Sequence, residues 1–196
     1  LAGRTRLLAR VTGQAPSLRI DGTLEGARLG VRGVQVDGIA ADFRLFPGVA
    51  QTGGQTSLHV AARVDRVTAG DSTLADLRLA LHSETAWRRL ATDPRLRGSA
   101  TVGAVQMPWG ATKDLRAQMT VDRDGVRLED ARTALFGGQV TGGAVAIPMT
   151  PAPGDDLLRA QVTYRDIRLQ ELVRAANMPA LAGVAGGTLT LRLDGD

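Results

Sequence analysis

The sequence has no cysteine and few aromatic residues. Without cysteine it can form no disulfide, no thiolate nucleophile and no cysteine-ligated zinc site. Phenylalanine, tryptophan and tyrosine make up only 3% of the 196 residues. Because aromatic side chains bury the most area per residue, their scarcity favours an apolar surface of Leu, Val and Ala that is more open than the core of a closed sandwich.

Long hydrophobic runs are also missing. Arginine interrupts every apolar stretch of the first ten residues, so this part of the chain predicts neither a signal peptide nor a membrane span. The sequence begins and stops within a strand-like pattern. We therefore expect residues 1–196 to be one continuous β-rich segment of a longer chain.

Lysine is nearly absent, because Lys113 is the only one and arginine supplies the other positive charges. The pI is 10.8, yet the net charge is only +4 and no basic run occurs. Nucleic-acid-binding proteins concentrate positive charge in a patch or stripe. We therefore expect no nucleic-acid partner.

What the sequence does contain is alternation of apolar and polar residues, the period of half-buried strands. The clearest examples are 7–11, 58–64, 77–81, 115–121 and 189–193. The pattern predicts a mainly β fold, an elongated, twisted, largely antiparallel sheet with one apolar face.

Short helices and loops interrupt this alternation. Apolar residues recur at helical spacing in 84–91 and 169–176, which predicts one or two short helices. Ranges 47–54 and 148–156 are rich in glycine or proline and predict loops.

Glycine marks the predicted turns and bulges. Asp21-Gly22, Asp37-Gly38 and Asp124-Gly125 are typical of turns, whereas Gly33 lies where the apolar phase slips by one residue, which predicts a bulge. Within 125–148 we interpret Gly137-Gly138 and Gly142-Gly143 as bulges too. They would bend the strand and keep its apolar side on one face, as a curling sheet requires.

A weak internal repeat consists of an aspartate, an apolar residue and a nearby arginine. It opens four predicted strands at Asp42, Asp76, Asp114 and Asp156, and successive positions differ by 34, 38 and 42 residues. Such irregular spacing favours short antiparallel units added side by side over a solenoid with a fixed rung.

The alternating apolar residues are candidates for the lining of an apolar groove. These candidates are Ile39, Phe43, Leu45, Leu58, Val60, Val64, Leu77, Leu79, Leu81, Leu115, Met119, Val121, Val162, Tyr164, Leu189, Leu191 and Leu193. The same residues could form the core of an ordinary sandwich or of a helix-covered sheet, and alternation does not separate the possibilities.

One acidic cluster could carry chemistry. Asp122, Asp124, Glu129 and Asp130 could form a calcium site or a glycosidase carboxylate pair. Asp124 followed by glycine is better explained by a hairpin turn, and alternation sends neighbouring acids to different faces. We therefore predict no metal site there.

The two histidines, His59 and His82, each lie on a polar strand face. With no second histidine expected near either, no metal site is predicted. Ser57, His59 and Asp65 could be combined into a catalytic triad, but no nucleophile-elbow motif surrounds the serine. We therefore predict that the chain is not an enzyme and has no cofactor.

Four stretches near the carboxyl end occur in a characteristic order. They are VRLED at 126–130, FGGQVTG at 136–142, YRDIRLQELV at 164–173 and the glycine-containing strand within 181–195. In this order, residues 126–196 resemble the carboxy-terminal region of AsmA-like proteins, the group with TamB-like and YdbH-like members.

The resemblance implies a non-catalytic segment of a bridge-like lipid-transport protein of the Gram-negative envelope. The segment would be periplasmic and part of an inner-membrane-anchored chain, and its elongated sheet would curl into an open trough. Its partners would be phospholipid or another acyl lipid and the rest of its own chain, and its groove would shield acyl chains between two membranes.

Two other functions remain open. One is a scaffold or assembly module whose exposed strand edges bind envelope or outer-membrane proteins. The other is a β-solenoid carbohydrate enzyme, although carboxylates and aromatics do not converge on one face as that function requires.

Overall fold

The structure is a computed structural model. It describes residues 2–14, 18–31, 33–46, 57–84, 95–108, 110–148, 156–175, 179 and 181–194. The helix predicted at 84–91 and the loops predicted at 47–54 and 148–156 lie almost entirely outside the described residues.

Eleven strands follow one another along the described chain and pair in the same order, each antiparallel to its neighbours. They are β1 (Ala2–Thr12), β2 (Arg19–Val31), β3 (Val34–Phe46), β4 (Ser57–Ala69), β5 (Ser72–Glu84), β6 (Leu96–Met107), β7 (Gly110–Val121), β8 (Gly125–Leu135), β9 (Gly138–Pro148), β10 (Asp156–Arg168) and β11 (Val184–Asp194). The predicted mainly β, antiparallel fold is confirmed. The sheet is open, with β1 and β11 as its edges.

The helix predicted near residue 169 is confirmed as α1 (Leu169–Ala175), between β10 and β11. The backbone N–H of Leu169 donates to the carbonyl of Gly183 at 3.0 Å, and Val173 is the buried residue of the helix. Arg168 and Glu171 form an ion pair at 3.1 Å across the first turn. These contacts fix α1 against β10.

The predicted turn at Asp124-Gly125 is confirmed between β7 and β8. The Asp122 carboxylate accepts from the N–H groups of Asp124 and Gly125 at 2.9 and 3.1 Å. The N–H of Asp122 also donates to the carbonyl of Gly125 at 3.0 Å. The carboxylate therefore serves the turn, which explains why an acid lies there.

Other predicted turns and bulges were wrong. Asp21-Gly22 lies inside β2 and Asp37-Gly38 inside β3, whereas Gly33 (φ +80°) belongs to the β2–β3 turn and Gly137 (φ +71°) to the β8–β9 turn. Turns and bulges both need residues that accept a positive φ, so glycine alone does not distinguish them. The bulge at Gly142-Gly143 is confirmed by a register shift between β9 and β10.

Several strands contain one residue near their middle that is not extended. These residues are Gly38 in β3 (φ +65°), Asp76 in β5 (φ 54°), Asp114 in β7 (φ 54°), Asp130 in β8 (φ 51°) and Asp166 in β10 (φ 57°). A positive φ is uncommon outside glycine, and aspartate is among the side chains that tolerate it best. Each such residue bends its strand.

The bends lie side by side. Gly38 falls between paired residues of β3 and β4 at the level of Asp65, and Asp65 falls at the level of Asp76 on β5. Gly103 continues the series on β6 and Asp114 on β7. We call the resulting line from β2 to β7 the crease; its members are Ala27, Gly38, Asp65, Asp76, Gly103 and Asp114. Asp130, Gly143 and Asp166 interrupt β8, β9 and β10, beyond the register shifts that begin between β7 and β8.

Each glycine of the crease lies beside an aspartate for a steric reason. A Cβ on Gly38 would lie 2.1 Å from the Oδ2 atom of Asp65, and a Cβ on Gly103 would lie 3.1 Å from the Cβ of Asp76. Each glycine therefore leaves room for the carboxylate of the neighbouring strand.

The crease keeps the apolar side chains on one face. In β7 the more buried positions after Asp114 are the odd-numbered Leu115, Ala117 and Val121, but the buried position before it is the even-numbered Thr112. If the alternation were unbroken, the residues on one side of the aspartate would point to the opposite face. The residue with positive φ shifts the alternation by one position, so both sets of side chains lie on the same face. The predicted function of the bulges thus holds, but aspartates perform most of it. Asp42, also part of the predicted repeat, lies in an extended part of β3, so the repeat aspartates do not share one position.

Candidate functional site

The predicted groove residues whose side chains the structure describes share one face of the sheet, which we call the apolar face. Cross-strand pairing arranges them in rows that run across the strands. One row consists of Phe43, Val60, Leu81, Gly98, Met119, Leu128 and Val145. A second consists of Ile39, Val64, Leu77, Val102 and Leu115. The rows are continuous because each strand contributes an apolar residue, or a glycine, at the same level.

The remaining candidates extend the same face. Leu45 pairs with Leu58 on β3 and β4, Leu79 with Ala100 on β5 and β6, and Val121 with Val126 on β7 and β8. Near the carboxyl end, Val162 pairs with Leu189, Tyr164 with Gly187 and Ala160 with Leu191, while Leu193 pairs with Leu158. The side chains of Leu191 and Leu193 lie outside the described part, so only their backbone positions are given.

Burial along the apolar face is greater on the interior strands than on the two edge strands. Ala100, Ala117 and Ala160 on β6, β7 and β10 are only 6%, 4% and 5% exposed, whereas Leu7 and Val11 on β1 are 63% and 62% exposed and Leu189 on β11 is 49% exposed. The face is therefore most accessible at both edges of the sheet.

The total accessible area also indicates an open arrangement. The chain exposes 13347 Å². A compact monomer of 20.6 kDa is expected to expose about 9,000 Å². Substantial packing contacts between described elements join neighbouring strands, or α1 with β10. The excess area argues against the ordinary sandwich that alternation alone allowed.

Three of the six aromatic residues cover glycines on neighbouring strands. A Cβ on Gly22 would lie 2.1 Å from the Phe43 ring, one on Gly110 2.9 Å from the Phe136 ring, and one on Gly187 2.9 Å from the Tyr164 hydroxyl. Each ring thus fills space that its partner leaves empty, an arrangement that supports strand pairing where glycine has no side chain.

The opposite face, which we call the polar face, carries ion pairs at short range. Arg19 meets Asp21 at 2.7 Å, and Arg78 meets Asp76 at 2.9 Å. Hydrogen bonds from Arg19 and Arg78 lower the pKa of the Asp21 and Asp76 carboxyls respectively. These pairs are exposed, so they add solubility and little stability.

The expectation that no second histidine lies near His59 was wrong. His59 and His82 are direct cross-strand neighbours on β4 and β5. Arg44 lies opposite His59, and Arg97 lies opposite His82. In the part of the chain that the structure describes, no group of three or more His, Cys, Asp or Glu residues could hold a metal ion.

The candidate triad does not assemble. Asp65 is six strand positions away from His59, a separation of ~20 Å at ~3.3 Å per residue, and it pairs with Arg63 at 3.2 Å. The triad of Ser57, His59 and Asp65 is therefore not formed.

The acidic cluster assembles in part. Asp122, Asp124 and Glu129 line one pocket together with Arg95, Arg97, Arg123 and Arg127. Asp122 also serves the turn described above, and Asp130 lies apart at a strand bend.

Sequence reasoning missed a groove beside the histidines. Most of its lining residues lie on the polar face, but Phe43, Val60 and Leu81 of the apolar rows line it too. Its volume is about 840 Å³. Its charged or titratable lining residues are Arg10, Asp21, Asp42, Arg44, His59 and His82, and its apolar lining includes Leu8, Ala61 and Ala80. The β4–β5 turn at Gly70-Asp71 was the available signal, because residues equally distant from a two-residue turn pair with each other.

Comparisons with known proteins do not indicate a function for this chain, so the proposal below is based on the two faces of the sheet. No family model matches the chain, and neither does any curated protein or solved structure. None of the described helices is long and apolar enough to cross a membrane.

Proposed function

We propose that this chain is a non-catalytic segment of a lipid conduit, whose apolar face shields phospholipid acyl chains as they pass between membranes. The observation that carries the proposal is the set of continuous apolar rows, such as the row from Phe43 to Val145. The rows cross most of an open sheet and are accessible at its edges.

The energetic problem of such transfer matches this surface. Exposing an acyl chain to water costs about 0.8 kcal/mol of free energy per methylene. For a chain of ~16 carbons, the barrier to crossing water between two membranes is therefore on the order of 13 kcal/mol. Leu, Val and Ala offer similar, non-directional contacts at every level of the rows. An acyl chain can therefore move along the face without a position that traps it.

The polar face fits the same function. Its Arg–Asp pairs keep the outside of the sheet hydrated, while a headgroup at the open edge would stay in water. A sheet creased along its length also brings the two parts of each strand toward one apolar surface, which increases contact with a narrow ligand.

The test is lipid capture by the purified segment, with a matched pair of variants. Met119 lies on the apolar face and Gln118, its neighbour on β7, lies on the polar face. Native mass spectrometry should show co-purifying phospholipid in the wild type and in Gln118→Glu. Met119→Glu should lose most of it, because a carboxylate placed among acyl chains is not solvated.

Circular dichroism and the urea midpoint must first show that both variants fold. A folded wild type that never binds phospholipid would reject the conduit, and so would equal loss in the two variants. A lipid-free protein that binds strand peptides from outer-membrane proteins would favour the alternative scaffold function. The exposed Leu7 and Val11 of edge strand β1 are the observation that supports this alternative.

A further inference from the structure

The polar face carries a row of four cationic or titratable side chains on consecutive strands. Arg44, His59, His82 and Arg97 lie side by side on β3, β4, β5 and β6. All four are exposed, and directly opposed residues have Cβ atoms about 4.5–5.5 Å apart. His59 and His82 are also the only histidines of the chain.

Like charges at this spacing repel each other, so the protonated row needs a counter-charge. Asp21 on β2 is already engaged, at 2.7 Å from Arg19 and 3.3 Å from Arg44. Asp42 on β3 is exposed and forms no ion pair with another described residue.

Further charged neighbours lie at both ends of the row. Arg10 lies opposite Asp21 on β1, and Glu84 lies two residues beyond His82 on β5, with its side chain outside the described part. At the other end, Arg97 lines a second pocket together with the acidic residues Asp122, Asp124 and Glu129 and the basic residues Arg95, Arg123 and Arg127. These carboxylates are matched by the arginines around them, so they do not supply a net counter-charge for the row.

The groove beside the histidines has room for a small anion. Its volume of about 840 Å³ falls within the ~300–1,000 Å³ of small-molecule sites. Ala61 and Ala80 pair with each other next to the histidine pair. Their short side chains leave open space on one side of the imidazoles, while Leu8 and Thr23 border it toward β1 and β2.

The histidines decide the sign of the charge in this groove. Its lining includes two arginines, Arg10 and Arg44, and two aspartates, Asp21 and Asp42, whose formal charges cancel. With neutral imidazoles the lining has no net formal charge, and with both protonated it has +2. Histidine is the side chain that ordinarily changes charge between pH 5 and 8.

We propose that this groove binds a phosphate-type oxyanion and that protonation of His59 and His82 strengthens the binding. The ligand is a free anion or the phosphate of a lipid headgroup, since both present the same doubly bonded and anionic oxygens. Arg44 and Arg97 supply permanent charge on either side, and the imidazolium N–H groups donate to the oxygens. The side chains that would bind the anion are on the face opposite the apolar rows, so the proposal does not depend on the conduit function.

Sulfate is the probe for the test, because its charge stays constant over the pH range in which histidine titrates. We expect calorimetry on the full chain to show about tenfold tighter sulfate binding at pH 5.5 than at pH 7.5. In NMR, sulfate at pH 5.5 should move the imidazole resonances of both histidines, and at pH 7.5 it should move them much less.

His59→Gln and His82→Gln should each remove most of this pH dependence. Lys113→Gln removes a positive charge from the exposed part of β7, outside the groove, and should retain it. All three changes are on exposed side chains and should leave the urea midpoint unchanged. Equal sulfate affinity at both pH values would overturn the proposal, as would histidine variants that behave like wild type.

A second arm identifies the source of the anion. Phosphatidylcholine vesicles with and without phosphatidic acid are compared at pH 5.5. Binding to the acidic vesicles that His59→Gln weakens identifies a headgroup, and sulfate binding without vesicle binding identifies a free anion. Loss of sulfate binding in Lys113→Gln equal to that in His59→Gln would reject the groove in favour of unspecific charge.

Discussion

Pairs of glycine and aromatic residues show how single positions shape this sheet. Gly22 is buried on β2 and lies beneath the ring of Phe43 on β3. With few aromatic residues in the chain, a ring that covers a glycine both fills the apolar face and holds two strands in register. The glycine is needed for space, since its φ is not positive.

Gly22→Ala should therefore destabilise the protein. The added Cβ would meet the Phe43 ring at 2.1 Å, and overpacking of this kind costs about 1–3 kcal/mol. The measurement is the urea unfolding midpoint. A second change, Phe43→Leu, should recover part of the loss because it removes the ring that collides.

Gly26→Ala is the matched control on the same strand. Gly26 is also buried, but an added Cβ would meet its nearest neighbour, the Cγ2 atom of Thr5, only at 3.4 Å. Its midpoint should stay close to that of the wild type. Equal destabilisation by both substitutions would show that strand backbone, and not the ring, limits position 22.

The histidine pair shows what sequence patterns do and do not contain at this scale. Alternation correctly placed His59 and His82 on a polar face. Their contact depends on the register of β4 with β5, which the turn at Gly70-Asp71 sets. Alternation predicts the face on which a residue lies but not which residue of the partner strand lies opposite, so the histidine pair was missed.

At the scale of elements, the crease is the feature that determines shape. Asp114 is suited to test it, because it has φ 54°, is exposed and forms no ion pair with a described residue. A left-handed conformation costs a branched side chain about 1–2 kcal/mol. Asp114→Val should therefore lower the free energy of unfolding by about that amount, and Asp114→Gly should raise it slightly.

Two controls separate conformation from charge. Asp114→Asn removes the charge but keeps a side chain that tolerates a positive φ, so its urea midpoint should hardly change. Lys113→Val places the same branched residue at the neighbouring exposed strand position, where the backbone is extended. If Asn and Val at position 114 cost the same, backbone conformation does not explain the aspartate.

The sequence predicted the strands better than the points where they bend or turn. Alternation located β4, β5 and β7 because each has a half-buried face. Gly33 and Gly38 were interchanged, as a turn and a bulge, because the same residue types suit both. A change of apolar phase within one strand, such as that from Leu74 to Leu77 across Asp76, distinguishes a bulge from a turn. At a turn the strand would end, whereas here it continues beyond Asp76.

At the scale of the whole molecule, stability should be distributed unevenly. Substantial packing contacts between described elements are limited to adjacent strands and to α1 with β10, so no distant element supports an edge strand. In such an array each strand depends on its neighbours, as in a repeat protein. The apolar face that could accept a lipid at its edges is therefore also the part that opens most easily.

Hydrogen exchange should follow this order. Amides of β6 and β7 should exchange slowest, because buried Ala100, Val102 and Ala117 cluster there. Amides of β1 and β11 should exchange first, since each of these strands has a partner on one side only and carries exposed apolar residues. Added phospholipid should slow exchange at the edges more than in the middle if acyl chains cover the accessible ends of the apolar rows. Uniform exchange in all strands would instead indicate one cooperative unit, in which neighbouring contacts do not limit opening.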